Sequence, residues 1–183
     1  MRFASLKRAL RRFSAAKAGL AAVEFAALAP MMLIMLFGSV DLIDMLHANR
    51  RAQNTAASLA VVGARDTSVS NDEIAGLWAA IDLLMFPNDG DALQVRITSV
   101  RIISASNAQV VWSEGRGGLT PLTVGTPVTN LPAQMMQPGS SVIWAETLLP
   151  YDSPMGFLND GVTNLRHNAY RRSRLVDPIP RVP

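Results

Sequence analysis

The chain has 183 residues, 49% of them apolar, with no cysteine and two histidines, which excludes a disulfide framework and thiolate metal sites. Its formal charge of +3 misleads, because six cations (Arg2, Lys7, Arg8, Arg11, Arg12 and Lys17) fall within residues 1–19, where there is no acid. From Leu20 onward 11 basic residues stand against 14 acidic ones, a net of −3, so the basic isoelectric point gives no reason to expect nucleic acid as a partner.

Residues 1–19 read as a basic cytoplasmic leader, a charge pattern suited to the anionic inner face of a membrane. From Ala18 to Val40 the sequence AGLAAVEFAALAPMMLIMLFGSV holds one ionisable group, Glu24, and one proline, Pro30. As a helix this run reaches about 34 Å, enough to cross a hydrocarbon core with slight tilt. Six positive charges before it, against Arg50 and Arg51 after it, put the N-terminus inside and everything downstream on the far side. A buried core helix is the rival reading, but such helices are rarely apolar all round for so long. Ala27-Leu28-Ala29 has the small-x-small form of a secretory cleavage site. Against that, Pro30 would follow the cut and the strongest apolar run, MMLIMLFG, lies beyond it.

Glu24 is the informative residue. A carboxylate inside an apolar span costs about 2.5–3.5 kcal/mol on insertion scales, so it marks a function unless it snorkels to the headgroups. Gly19, four residues, then Glu24-Phe25, set between a basic leader and a hydrophobic helix, resembles the processing site of type IV prepilins. The fuller run from Ala22 to Pro30, followed by an apolar stretch ending at Phe37-Gly38, resembles the TadE-like pseudopilins of tight-adherence (Flp) pili. The resemblance spans residues 12–65. It implies a bacterial inner-membrane protein with a periplasmic head, cleaved by prepilin peptidase between Gly19 and Leu20. Its implied partners are other pilin or pseudopilin subunits, that peptidase, an inner-membrane assembly platform and membrane lipid, with no cofactor. The physical chemistry of the residues is consistent with it. Cleavage would give Leu20 a cationic α-amino group, which Glu24 of a neighbouring subunit would meet, so that each buried charge gains a partner. Gly19, lacking a Cβ, enters a protease cleft easily. Pro30 removes one backbone hydrogen bond and should bend or loosen the helix.

Beyond Val40 the helical pattern persists to Ala64, predicting a transmembrane and extended helix over 20–65, about 67 Å long. Its alanines, among them Ala52, Ala56, Ala57 and Ala60, would allow close approach of a neighbouring helix or of the downstream domain. Asp41, Asp44 and His47 fall at helical spacing but read as a solvated collar rather than a metal site.

Residues 66–183 form the predicted head. Ser70-x-x-Glu73 is a capping box, and Ile74, Leu77, Trp78, Ile81, Leu84 and Met85 follow at amphipathic spacing, until Pro87 and the turn Asn88-Asp89-Gly90. Alternation over 93–103 and the apolar run at 109–112 predict a β-hairpin. Residues 113–139, rich in Gly, Pro and Thr, read as a long exposed connection, and Gly115-Arg116-Gly117-Gly118 as a turn, since it lacks the Lys-Ser/Thr of a phosphate loop. Ser141–Leu149 is a third strand, and 165–176, carrying Arg166, Arg171, Arg172 and Arg174, reads as a solvated edge strand, with an acidic partner surface as the alternative for that arginine cluster. These elements predict an α+β fold in which a long N-terminal helix packs against a few antiparallel strands. No catalytic constellation is present: His47 and His167 stand without a nucleophile motif or metal-ligand pattern. The sequence therefore favours a structural assembly subunit over an enzyme, with a generic single-pass anchor carrying a periplasmic binding module as the alternative.

Overall fold

The computed structural model describes residues 17–153, 155–156 and 161–183. The leader cations from Arg2 to Arg12 lie outside these residues, and the side chain of Lys17 is not described. The first element, α1, is one helix from Lys17 to Gly63 that runs through Pro30 without a break. Its character changes along its length because its sequence does. From Gly19 to Phe37 nearly every position is exposed, in keeping with side chains that are apolar on all sides. From Ala48 onward alanines recur every fourth residue, at Ala48, Ala52, Ala56, Ala60 and Ala64, and all five are buried. A spacing of four keeps them on one stripe of the helix, and the absence of bulk lets another layer approach closely.

That layer is a four-stranded antiparallel sheet, built from β1 (Gln94–Ser104), β2 (Asn107–Arg116), β3 (Ser141–Tyr151) and β4 (Thr163–Arg172) in the order β2-β1-β3-β4. β1 and β2 form one hairpin and β3 and β4 another, with β1 paired to β3 in the middle. The second helix, α2 (Asn71–Met85), lies beside α1. Its start is fixed by the predicted capping box: Ser70 Oγ accepts from the Glu73 amide at 3.3 Å and Glu73 returns the bond to the Ser70 amide at 2.6 Å. The main core lies between helices and sheet, where Leu59, Ile81, Met85, Val95, Ile97, Ile143 and Leu149 interdigitate. Each fully buried side chain of that size contributes about 1.5–3 kcal/mol relative to exposure. The α+β architecture is the one the sequence predicts.

The connection after β2 is mostly exposed, as expected, but residues 119–139 also fold back as a strap over the outer face of the sheet and close a second core. Val128 is buried there against Val100, Ile102, Ala108, Val110, Val142 and Trp144, with Leu122, Leu131, Met135 and Met136 packed around them. Backbone bonds from the Val110 amide to the Thr126 carbonyl (3.1 Å) and from the Val128 amide to the Ala108 carbonyl (2.8 Å) tie the strap to β2. β2 itself extends to Arg116, past the predicted end at Trp112, and carries a bulge. Ser99 pairs with Trp112 but the adjacent Val100 pairs with Val110, so Val111 is passed over. The extra residue turns Trp112 toward the helices and Val110 toward the strap, giving one strand to both cores. Gly115 is required by the same fold-back, since a Cβ there would stand 2.0 Å from the Leu119 carbonyl oxygen.

The last residues also pack down. Val69 donates to the Pro180 carbonyl and accepts from the Val182 amide, each at 2.9 Å, and Trp112 Nε1 donates to the Ile179 carbonyl at 2.8 Å. Arg181 reaches Glu114 at 3.0 Å and the Val69 carbonyl at 3.1 Å.

Candidate functional site

The residues singled out in the sequence lie together on the exposed part of α1. Gly19, Leu20, Glu24, Phe25 and Pro30 are all helical and all exposed. Leu20 and Glu24 are one turn apart and so share a face. Glu24 has no ion pair or hydrogen bond among the described residues, and its exposed neighbours Val23, Phe25 and Leu28 are apolar. Gly19 has open space around it: a Cβ built there would meet no atom within 4 Å. The glycine is therefore not demanded by packing within the chain. Among the described residues, α1 is the one helix long and apolar enough to cross a membrane.

Where the head begins, polar groups join it to the helix at successive levels. Tyr151 Oη donates to Asp44 Oδ2 at 2.7 Å, His167 Nε2 and Asn49 Oδ1 are 2.9 Å apart, and Thr147 Oγ1 donates to the Ala52 carbonyl at 3.2 Å. On the other flank Arg51 bonds to Asn88, just past α2. Burial, reinforced by Asp44, raises the Tyr151 phenol to a pKa of about 12. Burial lowers the His167 imidazole below its ordinary value, because the charged form loses water there. Asp41 is 3% exposed, whereas His47 is exposed. The collar thus divides: Asp44 is a ligand for the head, and His47 faces outward.

The arginines of β4 are not a uniform solvated row. Arg166 Nη1 lies 2.8 Å from Glu146, a carboxylate 3% exposed, which Arg96 holds from the other side. The Arg96 guanidinium also lies 5.6 Å from the centroid of the Trp144 ring, and Trp144 stacks on Tyr170 at 6.0 Å. Arg172 holds the strap through the Gln134 carbonyl and the Gln137 side chain. Sequence inspection missed this network and the Asp44–Tyr151 and Asn49–His167 pairs. The one signal for Glu146 was an acid in the middle of an otherwise apolar strand.

Comparison with known proteins bears on α1 alone. Searches of curated proteins and of solved structures returned no match. A family model does match: residues 19–61, from Gly19 to within the alanine stripe, are similar to the family described as TadE-like protein.

Proposed function

We propose that the chain is a minor pilin or pseudopilin subunit that contributes to assembly of a tight-adherence (Flp-type) pilus, with a structural rather than catalytic role. In this reading prepilin peptidase removes residues 1–19 on the cytoplasmic side, and the apolar half of α1 first anchors the protein in the inner membrane and then serves as a polymerisation stem. The head stands in the periplasm. Other pilin subunits and an inner-membrane platform are its partners.

The observation that carries the reading is the state of the stem. A helix exposed on all sides carries one carboxylate, Glu24, without a partner among the described residues, five positions after Gly19 and within the TadE-like match. Such a surface is costly in water and such a charge is costly in lipid, so both call for a partner helix. Glu24 would pair with the new α-amino group of Leu20 on a neighbouring subunit. Since only one axial offset satisfies that pair, it sets register as well as affinity.

Intact-mass and N-terminal peptide analysis of the membrane fraction tests the proposal. The expected mature chain starts at Leu20, and the Gly19→Ala variant stays full length. Glu24→Ala is expected to be processed but to fail in assembly. An intact leader on the wild-type protein would overturn the reading in favour of a plain membrane anchor carrying a binding module.

A further inference from the structure

We propose that the outer edge of β4 docks an extended acidic segment of a partner protein, which adds to the sheet as a fifth strand beside residues 166–172. The proposal concerns the head and does not depend on processing at Gly19.

The edge is the first argument. In the order β2-β1-β3-β4 two strands have an open side, and the fold treats them differently. β2 is covered where Val110 donates to Thr126 and accepts from Gly125, and where Val128 donates to Ala108, so the strap takes the place of a neighbouring strand. β4 is paired on one side only. The Ser173 amide donates to the Ser141 carbonyl opposite it at 3.1 Å, which sets the phase of the ladder. Pairing is regular from Arg172 back to Thr163, so odd-numbered residues of β4 bond to β3 and even-numbered ones turn their N–H and C=O groups outward. At Arg166, Asn168, Tyr170 and Arg172 these outward groups have no backbone partner among the described residues. The Tyr170 carbonyl accepts from the adjacent Arg171 guanidinium at 3.0 Å, a contact that an arriving strand can displace. Such a row is a template for main-chain pairing.

Charge names the occupant. The chain is net negative from Leu20 onward, yet residues 163–174 carry Arg166, Arg171, Arg172 and Arg174 and no acid. Arg166 is engaged by Glu146. Arg171, Arg172 and Arg174 are exposed and have no acidic partner among the described residues. A second copy of β4 laid along this edge would set cation beside cation, so the arginines oppose self-pairing and favour a strand that brings acids.

Height sets anionic lipid aside. β4 climbs away from the apolar run: His167 is bonded to Asn49, and the Arg174 amide to the Ala64 carbonyl at 3.3 Å. Those helix positions lie about 14 and 36 Å beyond Val40, past the headgroup layer of a bilayer that α1 spans.

The test uses the full-length protein in phosphatidylcholine nanodiscs and a synthetic peptide of alternating glutamate and threonine, about ten residues long to match a strand. Two control peptides carry glutamine for glutamate, or N-methyl groups on every amide, which keep the charge and forbid sheet addition. The parent peptide is expected to bind and to slow hydrogen exchange about tenfold at the amides of 166, 168, 170 and 172. Both controls, and the parent peptide on the Arg171→Gln/Arg172→Gln protein, should bind about tenfold more weakly. The peptide comparisons are made on the wild-type protein, so they hold even if the double variant folds poorly. Absence of slowing by the parent peptide overturns the docking edge. A glutamine peptide that binds as well removes the acidic partner, and an N-methylated peptide that binds as well removes the added strand. Without peptide, slowing of the same amides in phosphatidylglycerol nanodiscs would assign the cluster to lipid, and slowing that grows with protein concentration would assign the edge to a second copy. Either result overturns the proposal.

Discussion

Tyr151, the last residue of β3, donates a 2.7 Å hydrogen bond to Asp44, a residue of the same helix that crosses to the exposed stem. Tyr151 is buried and Asp44 half-buried, so neither group is fully solvated if the bond is lost. Tyr151→Phe is expected to cost about 1–2 kcal/mol, the usual toll of a buried hydrogen bond whose partner remains, read as a lower unfolding midpoint of the detergent-solubilised protein. The phenol has its own pH signature. Its folded pKa, about 12, lies above the ordinary value of 10.0. The stability it contributes is therefore complete below pH 10 and is lost as pH rises toward 12. Tyr151→Phe should remove that alkaline loss.

His167 has the opposite sign. Its folded pKa is lowered from 6.5, so protons bind the unfolded chain more readily. The head should be most stable above pH 6.5 and weaken as the pH falls below it. His167→Gln, which can still bond Asn49, is expected to flatten the thermal midpoint across the mildly acidic range. An unchanged slope would refute the assignment.

The Glu146 network predicts an asymmetry. The Arg96 side chain is 14% exposed and that of Arg166 is 55% exposed. Glu146→Gln strands a mostly buried guanidinium and is expected to cost about 3 kcal/mol. Arg166→Ala removes a largely solvated partner and should cost below about 1 kcal/mol. Equal losses from these two substitutions in denaturant titrations would refute the asymmetry.

The alanine stripe should resist enlargement. Ala52 and Ala60 are completely buried under the sheet, and leucine at either position is expected to cost about 1–3 kcal/mol by overpacking. The head would then become more sensitive to protease, while the exposed stem keeps its helicity.

Gly19→Ala is the contrasting case. With no atom within 4 Å of an added Cβ, the variant should fold at least as well as the wild type, gaining up to about 1 kcal/mol of helix propensity. Any block in maturation would then reflect the protease cleft and not misfolding. Circular dichroism of the purified variant alongside its mass makes the distinction.

Local signals in the sequence carried a good part of this architecture. Ser70 and Glu73 announced α2, unbroken apolarity announced the stem, and alternation announced β1. What stayed hidden depended on contacts distant in sequence. The strap over 119–139 is rich in Gly, Pro and Thr, and nothing local shows that Val128, Leu131 and Met135 find a second face of the sheet to cover. The bulge at Val111 breaks the very alternation by which a strand is recognised. Similarly, Glu146 read as an ordinary strand residue, because Arg96 and Arg166 lie 50 and 20 positions away. On the stem the residues were legible one by one. The exposure of Gly19, Leu20, Glu24, Phe25 and Pro30 emerged with the structure.

The continuity of α1 has a mechanical consequence. Stem and head share one rod, and the bonds at Asp44, Asn49 and Ala52 fasten the sheet to it at three levels within about 12 Å. Across those three levels the helix is unbroken, so a rotation of that segment is passed to the sheet. A pull on the head loads those fastenings in shear, all at once, before it reaches the apolar run. The molecule is built to transmit torque and tension along its axis rather than to absorb them.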